Sequence, residues 1–496
     1  MKTLPVLPRA SAVAGLFSLL AACDPSTPTP DAGATGDAFA SDAPGSVDAP
    51  LSDDASRMGR CTIPAPMVAG TPATDAIANA PPRCGSVPGA WLRDADLGSV
   101  VSRRTGSNYT APGLQALADA AGVMLPSAPV NNVRTETVVY ATQDRGARVQ
   151  STALVAYPTN TPAGADVPII LVLHGTSGFR PGCGPTADLS AGLLAAVFAS
   201  FGWIAVAPDY LGLESAGEAY GSLHPYLVGE ATAIASLDAA RAAMRTVEAN
   251  APTACASPRL AVFGGSQGGH ATLWVDRLAP YYAREFELIG SVATVPTADL
   301  LGQSQRAVLA PVEATANLAA SLTTQAAWYN QEAALSDMLR APFDTSVPAA
   351  LAAACDPGDA LDPTTGLSDL FTPAFLASAQ ADIGATMPAG CWLRESSLTV
   401  SSIPRITPSS PSYGILWVVG SEDRLIHPPI ERASYDTLCA AGTPLQYLEC
   451  EGASHTRATA WAIPELFAFL DARRANMPFT TQCTRPAASR CMGTPP

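Results

Sequence analysis

Residues 259 to 270 read Arg259-Leu260-Ala261-Val262-Phe263-Gly264-Gly265-Ser266-Gln267-Gly268-Gly269-His270. The first five form a short apolar strand, and an apolar, Ala-containing helical pattern follows the glycines from Gly268 to Leu278. The segment is therefore strand, G-x-S-x-G, helix. Such an elbow turns so sharply that the residues two before and two after the Ser must be small. Both are Gly here, and Gly269 adds room. The arrangement predicts Ser266 Oγ exposed at the carboxyl end of a sheet, as a nucleophile. A Gly-rich turn with a capping Ser is the bland alternative, and the flanking strand and helix argue against it.

The pattern extends outward on both sides. Val133 to Thr142 and Val149 to Tyr157 are rich in Val, Thr and Tyr, and Asp144-Arg145-Gly146 between them predicts a hairpin. Short apolar runs follow at Pro168 to Leu173, Trp203 to Ala207, Leu288 to Val295 and Ile415 to Val419. Helical segments, clearest at Gly229 to Glu248, Gly268 to Leu278 and Trp461 to Arg473, alternate with them. Strands buried on both faces and alternating with helices imply a mostly parallel central sheet with helices on both faces. An antiparallel hairpin leading into such a sheet is the opening of an α/β-hydrolase fold. From about Asp299 to Ser410 the alternation stops in an Ala-, Leu- and Pro-rich stretch of helical character, too long for a loop. It reads as a helical cap insertion over the active edge of the sheet, with Cys355 and Cys391 as a staple within it.

A serine nucleophile needs a base, and the chain offers His174, His224, His270, His427 and His455. In this fold the order is Ser, then acid, then His. His270 lies on the helix launched by the nucleophile and reads as structural, and His174 as an anchor of its own loop. His455, in Glu451-Gly452-Ala453-Ser454-His455 after a short strand at Leu445 to Leu448, is the expected base, with His427 as its rival. Ile415 to Val419 runs into Gly420-Ser421-Glu422-Asp423, so Asp423 is the expected acid and adjacent Glu422 the alternative. Asp423 would fix the His455 tautomer and stabilise the imidazolium. The oxyanion hole is expected from the backbone N–H of Gln267 and of Thr176 in His174-Gly175-Thr176-Ser177-Gly178, with Gly175 and Ser177 as neighbouring options. The scheme uses no cofactor and no metal.

Composition limits the partners. Charged residues are 14% of the chain and hydrophobic ones 48%, a balance that supports a packed globular body. A formal net charge of -15 leaves no basic stripe for nucleic acid, although seven Asp between Asp24 and Asp54 carry part of it. Lys2 is the only lysine, which excludes a lysine Schiff base in the mature protein. Lys2 and Arg9, the apolar run Ala10 to Leu20, and Leu20-Ala21-Ala22-Cys23 have the layout of an export signal ending in a lipobox, so Cys23 is the expected lipidation site. Asp24 to about Arg60 lacks large apolar residues and reads as a disordered tether. The expected organisation is 1–23 signal peptide with lipobox, 24–60 tether, 61–298 first part of the core, 299–410 cap and 411–496 second part of the core. The expected location is a membrane-anchored lipoprotein facing the periplasm or the cell exterior. Ten further cysteines, an even number in an exported chain, suggest five disulfides, with Cys439–Cys450 and Cys483–Cys491 the nearest local pairings.

The chain also resembles the secretory lipases of the yeast lipase A type and their bacterial relatives, from about Val133 to Arg473. The resemblance rests on HGTSG at His174 to Gly178, APDYLGL at Ala207 to Leu213, HPYLVGEATAIASLDAAR at His224 to Arg241, GGSQGGHA at Gly264 to Ala271, and the late Asp423 and His455. It implies an α/β-hydrolase core, a helical cap between nucleophile and acid, and hydrolysis of carboxylic esters including lipids. Gln267 fits the bacterial members better than the yeast ones. Two other expectations are weighed against a lipase or esterase acting on apolar acyl esters. One is a serine peptidase of the same fold, although no blade-length repeat of a propeller domain is present. The other is a non-catalytic binding lipoprotein displayed at the surface, which the intact Ser, Asp and His set argues against.

Overall fold

The computed structural model describes residues 61–70, 84, 90–162, 165–250, 254–358, 366–401 and 403–495. The expected signal peptide, Cys23 and the tether lie outside the described residues. Nine strands form one sheet: β1 (Val100–Tyr109), β2 (Val133–Asp144), β3 (Ala147–Pro158), β4 (Ala165–Leu173), β5 (Ile204–Pro208), β6 (Ala254–Gly265), β7 (Glu287–Thr294), β8 (Ile415–Gly420) and β9 (Leu445–Cys450). Their order is β1-β2-β3-β5-β4-β6-β7-β8-β9. The pairs from β1 to β3 and from β3 to β5 are antiparallel, and every pair from β5 to β9 is parallel. This is the α/β-hydrolase fold. The hairpin register pairs Asp144 with Ala147 across a two-residue turn. Arg145 and Gly146 both have positive φ there, 49° and 81°, as a type I′ turn requires.

The central strands show no polar alternation because both faces are covered. Ile169 and Leu171 of β4, Val206 of β5 and Leu260 and Val262 of β6 pack on one side with α3 (Gly229–Asn250), α4 (Gln267–Tyr282) and α12 (Pro428–Ala440). Their alternates Ile170, Val172, Ala205, Ala207, Ala261 and Phe263 pack on the other with α1 (Ala111–Ala120), α2 (Leu189–Ser200), α13 (His455–Trp461) and α14 (Ile463–Arg474). Two expectations need adjustment. The edge strand β1, exposed along almost its whole length, precedes the hairpin. The final helix is two, α13 and α14, and His455 is the first residue of α13 instead of lying in the preceding loop.

Between β7 and β8 the described residues form seven α-helices: α5 (Leu300–Leu309), α6 (Ala314–Trp328), α7 (Leu335–Met338), α8 (Phe343–Ala353), α9 (Leu367–Leu370), α10 (Pro373–Asp382) and α11 (Ala389–Glu395). They share a cluster of their own, into which the core sends Phe179, Tyr226, Leu227 and Val228. The β2–β3 turn holds this cap from the side. Trp328 Nε1 donates to Asp144 Oδ1 at 3.0 Å, and the Arg145 guanidinium lies 4.6 Å from the centre of the Trp328 ring.

Ten cysteines form five disulfides, the pattern of an exported protein, but not with the expected partners. Cys439 pairs with Cys483 and Cys450 with Cys491, not Cys439 with Cys450 and Cys483 with Cys491. The C-terminal segment after α14 runs back along β9 and α12, so sequence neighbours are not spatial neighbours. Nor is there a Cys355–Cys391 staple: Cys183–Cys355 and Cys84–Cys391 each fasten the cap to chain outside it. Cys61–Cys255 ties the start of the described chain to β6. Among the described residues no helix is long and apolar enough to cross a membrane.

Candidate active site

Ser266 sits at the elbow between β6 and α4 with φ 57° and ψ -119°. Positive φ at a residue other than Gly costs on the order of 1 to 3 kcal/mol and persists only where the surroundings impose it. They do so here. Ser266 N donates to Thr294 O at 2.9 Å, and His270 N donates to Ser266 O at 3.0 Å. A Cβ on Gly264 would strike Gly268 O, one on Gly268 would strike Leu173 O, and one on Gly269 would lie 2.7 Å from Thr294 O. The glycines are thus required by backbone approach on three sides.

His455 and Asp423 reach the same point from the far edge. His455 Nε2 lies 2.9 Å from Ser266 Oγ, and Nδ1 lies 2.7 Å from Asp423 Oδ2. With the imidazole neutral, Nδ1–H donates to the carboxylate and Nε2 accepts from the hydroxyl. Asp423 is buried, and its Oδ1 accepts from Leu425 N and Ile426 N, both at 2.9 Å, so the carboxylate is held in one orientation. The loops after β8 and β9 are knitted together. Glu422 N donates to Ala453 O at 3.0 Å, and Gly452 N donates to Ser421 Oγ at 2.8 Å. Glu422 itself points to solvent. His427 precedes α12, and its backbone N donates to Gln303 Oε1 at 3.2 Å. Of the five histidines, only His455 hydrogen-bonds Ser266.

Gln267 is the first residue of α4, where a backbone N–H has no intrahelical acceptor. Residue 175 lies against the elbow: a Cβ there would be 3.4 Å from Gly265 O and 3.7 Å from Ser266 Cβ. The HGTSG loop therefore flanks Ser266, and the Thr176 hydroxyl is hydrogen-bonded to Tyr226 Oη at 2.9 Å.

Behind this loop stands a stack that the sequence does not announce. The His174 and Tyr210 rings are 4.1 Å apart, and the Tyr210 and His224 rings 5.8 Å. His224 Nδ1 donates to Leu211 O at 2.8 Å, so its Nε2 accepts from Gln267 Nε2 at 2.6 Å, fixing the side chain of the residue that follows Ser266. Burial pushes the His174 imidazole down to about 4 and His224 to about 3. His270 is likewise buried, lowered to about 4, and donates from Nε2 to Ser396 O at 2.9 Å. It holds the segment after α11 to the core, the structural part expected of it.

Ser266 opens into a small pocket of about 40 Å³ lined by Tyr226, Leu227, Thr297, Leu425 and Ile426 from the core and by Leu300, Gln303, Ser304, Ala314, Asn317, Leu318 and Ser321 from α5 and α6. The second apolar run of the cap, Leu367 to Trp392, does not line it; Leu370, Phe371, Phe375 and Trp392 pack inside the cap.

The secretory lipase family model matches residues 188–339, a span that holds Ser266 and the first cap helices but not Asp423 or His455. No curated protein matches the chain. Among solved structures, lipase A from Candida antarctica in its closed state is 17% identical with a TM-score of 0.59, over 86% of this chain and 91% of that one. The rice cell wall degrading esterase LipA from Xanthomonas oryzae is 18% identical with a TM-score of 0.57, over 77% of this chain and 96% of that one. Over residues 188–339 the chain is thus similar to the secretory lipase family, and it shares the α/β-hydrolase fold of these structures.

Proposed function

We propose that the protein is a serine carboxylic ester hydrolase of the lipase or esterase kind, working through an acyl-enzyme on esters with apolar acyl chains. The observation that carries this reading is the hydrogen-bonded series Asp423, His455, Ser266 at the mouth of a partly apolar pocket. His455 takes the Ser266 proton as Oγ attacks the ester carbonyl, and Asp423 stabilises the imidazolium without taking the proton itself. The tetrahedral oxyanion is bound by the N–H groups of Gln267 and Thr176. His455 then protonates the leaving alcohol, and water, activated by the same imidazole, releases the acid.

A series of p-nitrophenyl esters and a peptide amide assayed in parallel tests the reading. Ester turnover far above amide turnover is expected. Amide cleavage at comparable kcat/KM would make the protein a peptidase, and turnover of neither would leave a binding protein. We further propose that export ends in lipidation at Cys23 and that residues 24–60 tether the enzyme to a membrane. Cys23→Ser should move the protein to the soluble fraction, and unchanged membrane association would refute the anchor.

A further inference from the structure

The Ser266 pocket has one place where an alkyl chain is a poor occupant. Leu227, Leu300, Leu318, Leu425 and Ile426 give it apolar walls, but Tyr226 and Asn317 meet along one side. Thr176 Oγ1 and Asn317 Nδ2 both hydrogen-bond Tyr226 Oη, at 2.9 Å and 3.0 Å, so one end of the Asn317 amide is committed. Its other end, Oδ1, is buried and has no hydrogen-bond partner among the described residues. Asn317 lines the pocket, so a polar group entering it is the one partner a substrate can bring to that amide, by a small turn of the side chain. An alkyl chain lying there returns no hydrogen bond to Oδ1 and leaves it buried and unpaired.

We propose that the substrate carries a hydroxyl group where it lies against Asn317, making this residue a determinant of specificity. A hydroxyl donates to Oδ1, and it accepts equally well from the amide NH₂ if the amide is turned over, so it satisfies either orientation. The Tyr226 link places this contact on the same hydrogen-bonded series as Thr176, so hydroxyl recognition and the loop beside the nucleophile are mechanically joined. The proposal rests on the hydrolase reading and narrows it from apolar esters to hydroxylated ones. The hydroxyl belongs to either the acyl or the alcohol part of the ester, and the shared chemistry is an uncharged donor and acceptor on an otherwise apolar chain.

The test uses matched esters in two arms. In the acyl arm, p-nitrophenyl hexanoate is compared with its 3-hydroxy and 6-hydroxy derivatives. In the alcohol arm, hexyl acetate is compared with 3-hydroxyhexyl and 6-hydroxyhexyl acetate. At least one hydroxylated ester should exceed its parent in kcat/KM by about tenfold, and the arm in which it does so identifies the part that bears the hydroxyl. Asn317→Leu, close in size, should abolish or invert that preference, and Tyr226→Phe, which frees the amide to rotate, should weaken it. The preference ratio within each variant is independent of how much protein folds. No preference in either arm, or a preference that survives Asn317→Leu, overturns the proposal while the parent esters are still hydrolysed. Failure to hydrolyse any of the six overturns the hydrolase reading itself.

Discussion

In the core, successive residues of one strand answer to two different helical layers: Ile169 and Leu171 to α3 and α4, Ile170 and Val172 to α2 and α14. In the cap, α5 to α11 bury their side chains mainly in one another and are fastened from outside by Cys183–Cys355, Cys84–Cys391 and the Asp144–Arg145 turn. A strand end in the core is thus fixed by everything on both faces of the sheet, and Ser266, Asp423 and His455 all follow such ends. The cap residues that reach the pocket sit on α5 and α6, whose shift would disturb the cap without moving a strand. On the proposed reading the difference separates chemistry from selectivity: geometry that must hold to fractions of an ångström is on the core, and the movable part of the wall that meets the substrate is on the cap.

The largest effect should therefore come from the core. Ser266→Ala and His455→Ala are each expected to lower kcat for ester hydrolysis by a factor on the order of 10⁴ to 10⁶, with no further loss in the double variant because the groups act as a unit. His427→Ala should retain most activity, since it makes no hydrogen bond to Ser266. Single- and double-variant kinetics decide this. Retained turnover in His455→Ala, or additive losses, would mean that the hydrogen-bonded series is not the working one.

The same contrast governs what the sequence discloses. Strands β2 to β9 and the elbow are legible because fully apolar runs and fixed glycines each have one physical explanation, and Asp423 and His455 follow from chain order. Strand β1 is not legible: Val100–Tyr109 carries Ser, Arg, Thr, Gly and Asn on an exposed edge, with shifts of register against β2 and no buried face to impose alternation. The helical character of the cap can be read, but which of its residues face Ser266 cannot. Leu300 and Leu376 look alike in sequence, and only packing sends the first to the pocket and the second into the cap. Asn317 carries no local signal at all. The disulfides defeat local reasoning because Cys483 and Cys491 lie on a segment whose return along the sheet edge is set by tertiary structure.

A second expectation concerns the seam between the two regions, where the buried imidazoles lie. His174 and His270 are held at about 4 and His224 at about 3, against an ordinary value near 6.5, in each case by burial. Their folded pKa values are depressed, so below 6.5 the unfolded chain binds more protons than the native one. The stability associated with keeping them neutral is present above pH 6.5 and is lost as pH falls toward 4. Asp209, pushed up to about 7 by burial, acts in the opposite sense: its contribution is present below its ordinary 3.8 and lost as pH rises toward 7. Asp238 and Glu431, also raised by burial, act with Asp209, while His427 and Glu449, both lowered, act with the three imidazoles, so the part owed to one histidine is read from its own variant. On acidification from pH 6.5 to 4 the parent protein should lose more Tm, or gain less, than His270→Gln, which cannot acquire charge. Identical Tm profiles for the two proteins over this interval would contradict the neutral, buried state of His270.

The smallest effects should come from the cap wall, and they are the ones that test its separate role. Leu300 and Leu318 are buried beside Ser266 and contribute apolar surface without any polar group that touches the reacting atoms. Each methylene that a substrate buries there adds up to about 0.8 kcal/mol, or up to about fourfold in kcat/KM per carbon, until the pocket is filled. A series from acetate to laurate should climb and then level off. Leu300→Ala or Leu318→Ala should shift the plateau to longer chains or flatten the climb, because the wall recedes, while kcat for acetate stays near that of the parent protein because the strand ends do not move. Met387→Ser, at a cap residue exposed to 67%, should leave the whole profile unaltered and so separates a wall effect from a general loosening of the cap. If acetate is the best substrate and neither leucine matters, α5 and α6 cover the sheet edge without selecting the chain, and the division of labour between core and cap would have to be abandoned.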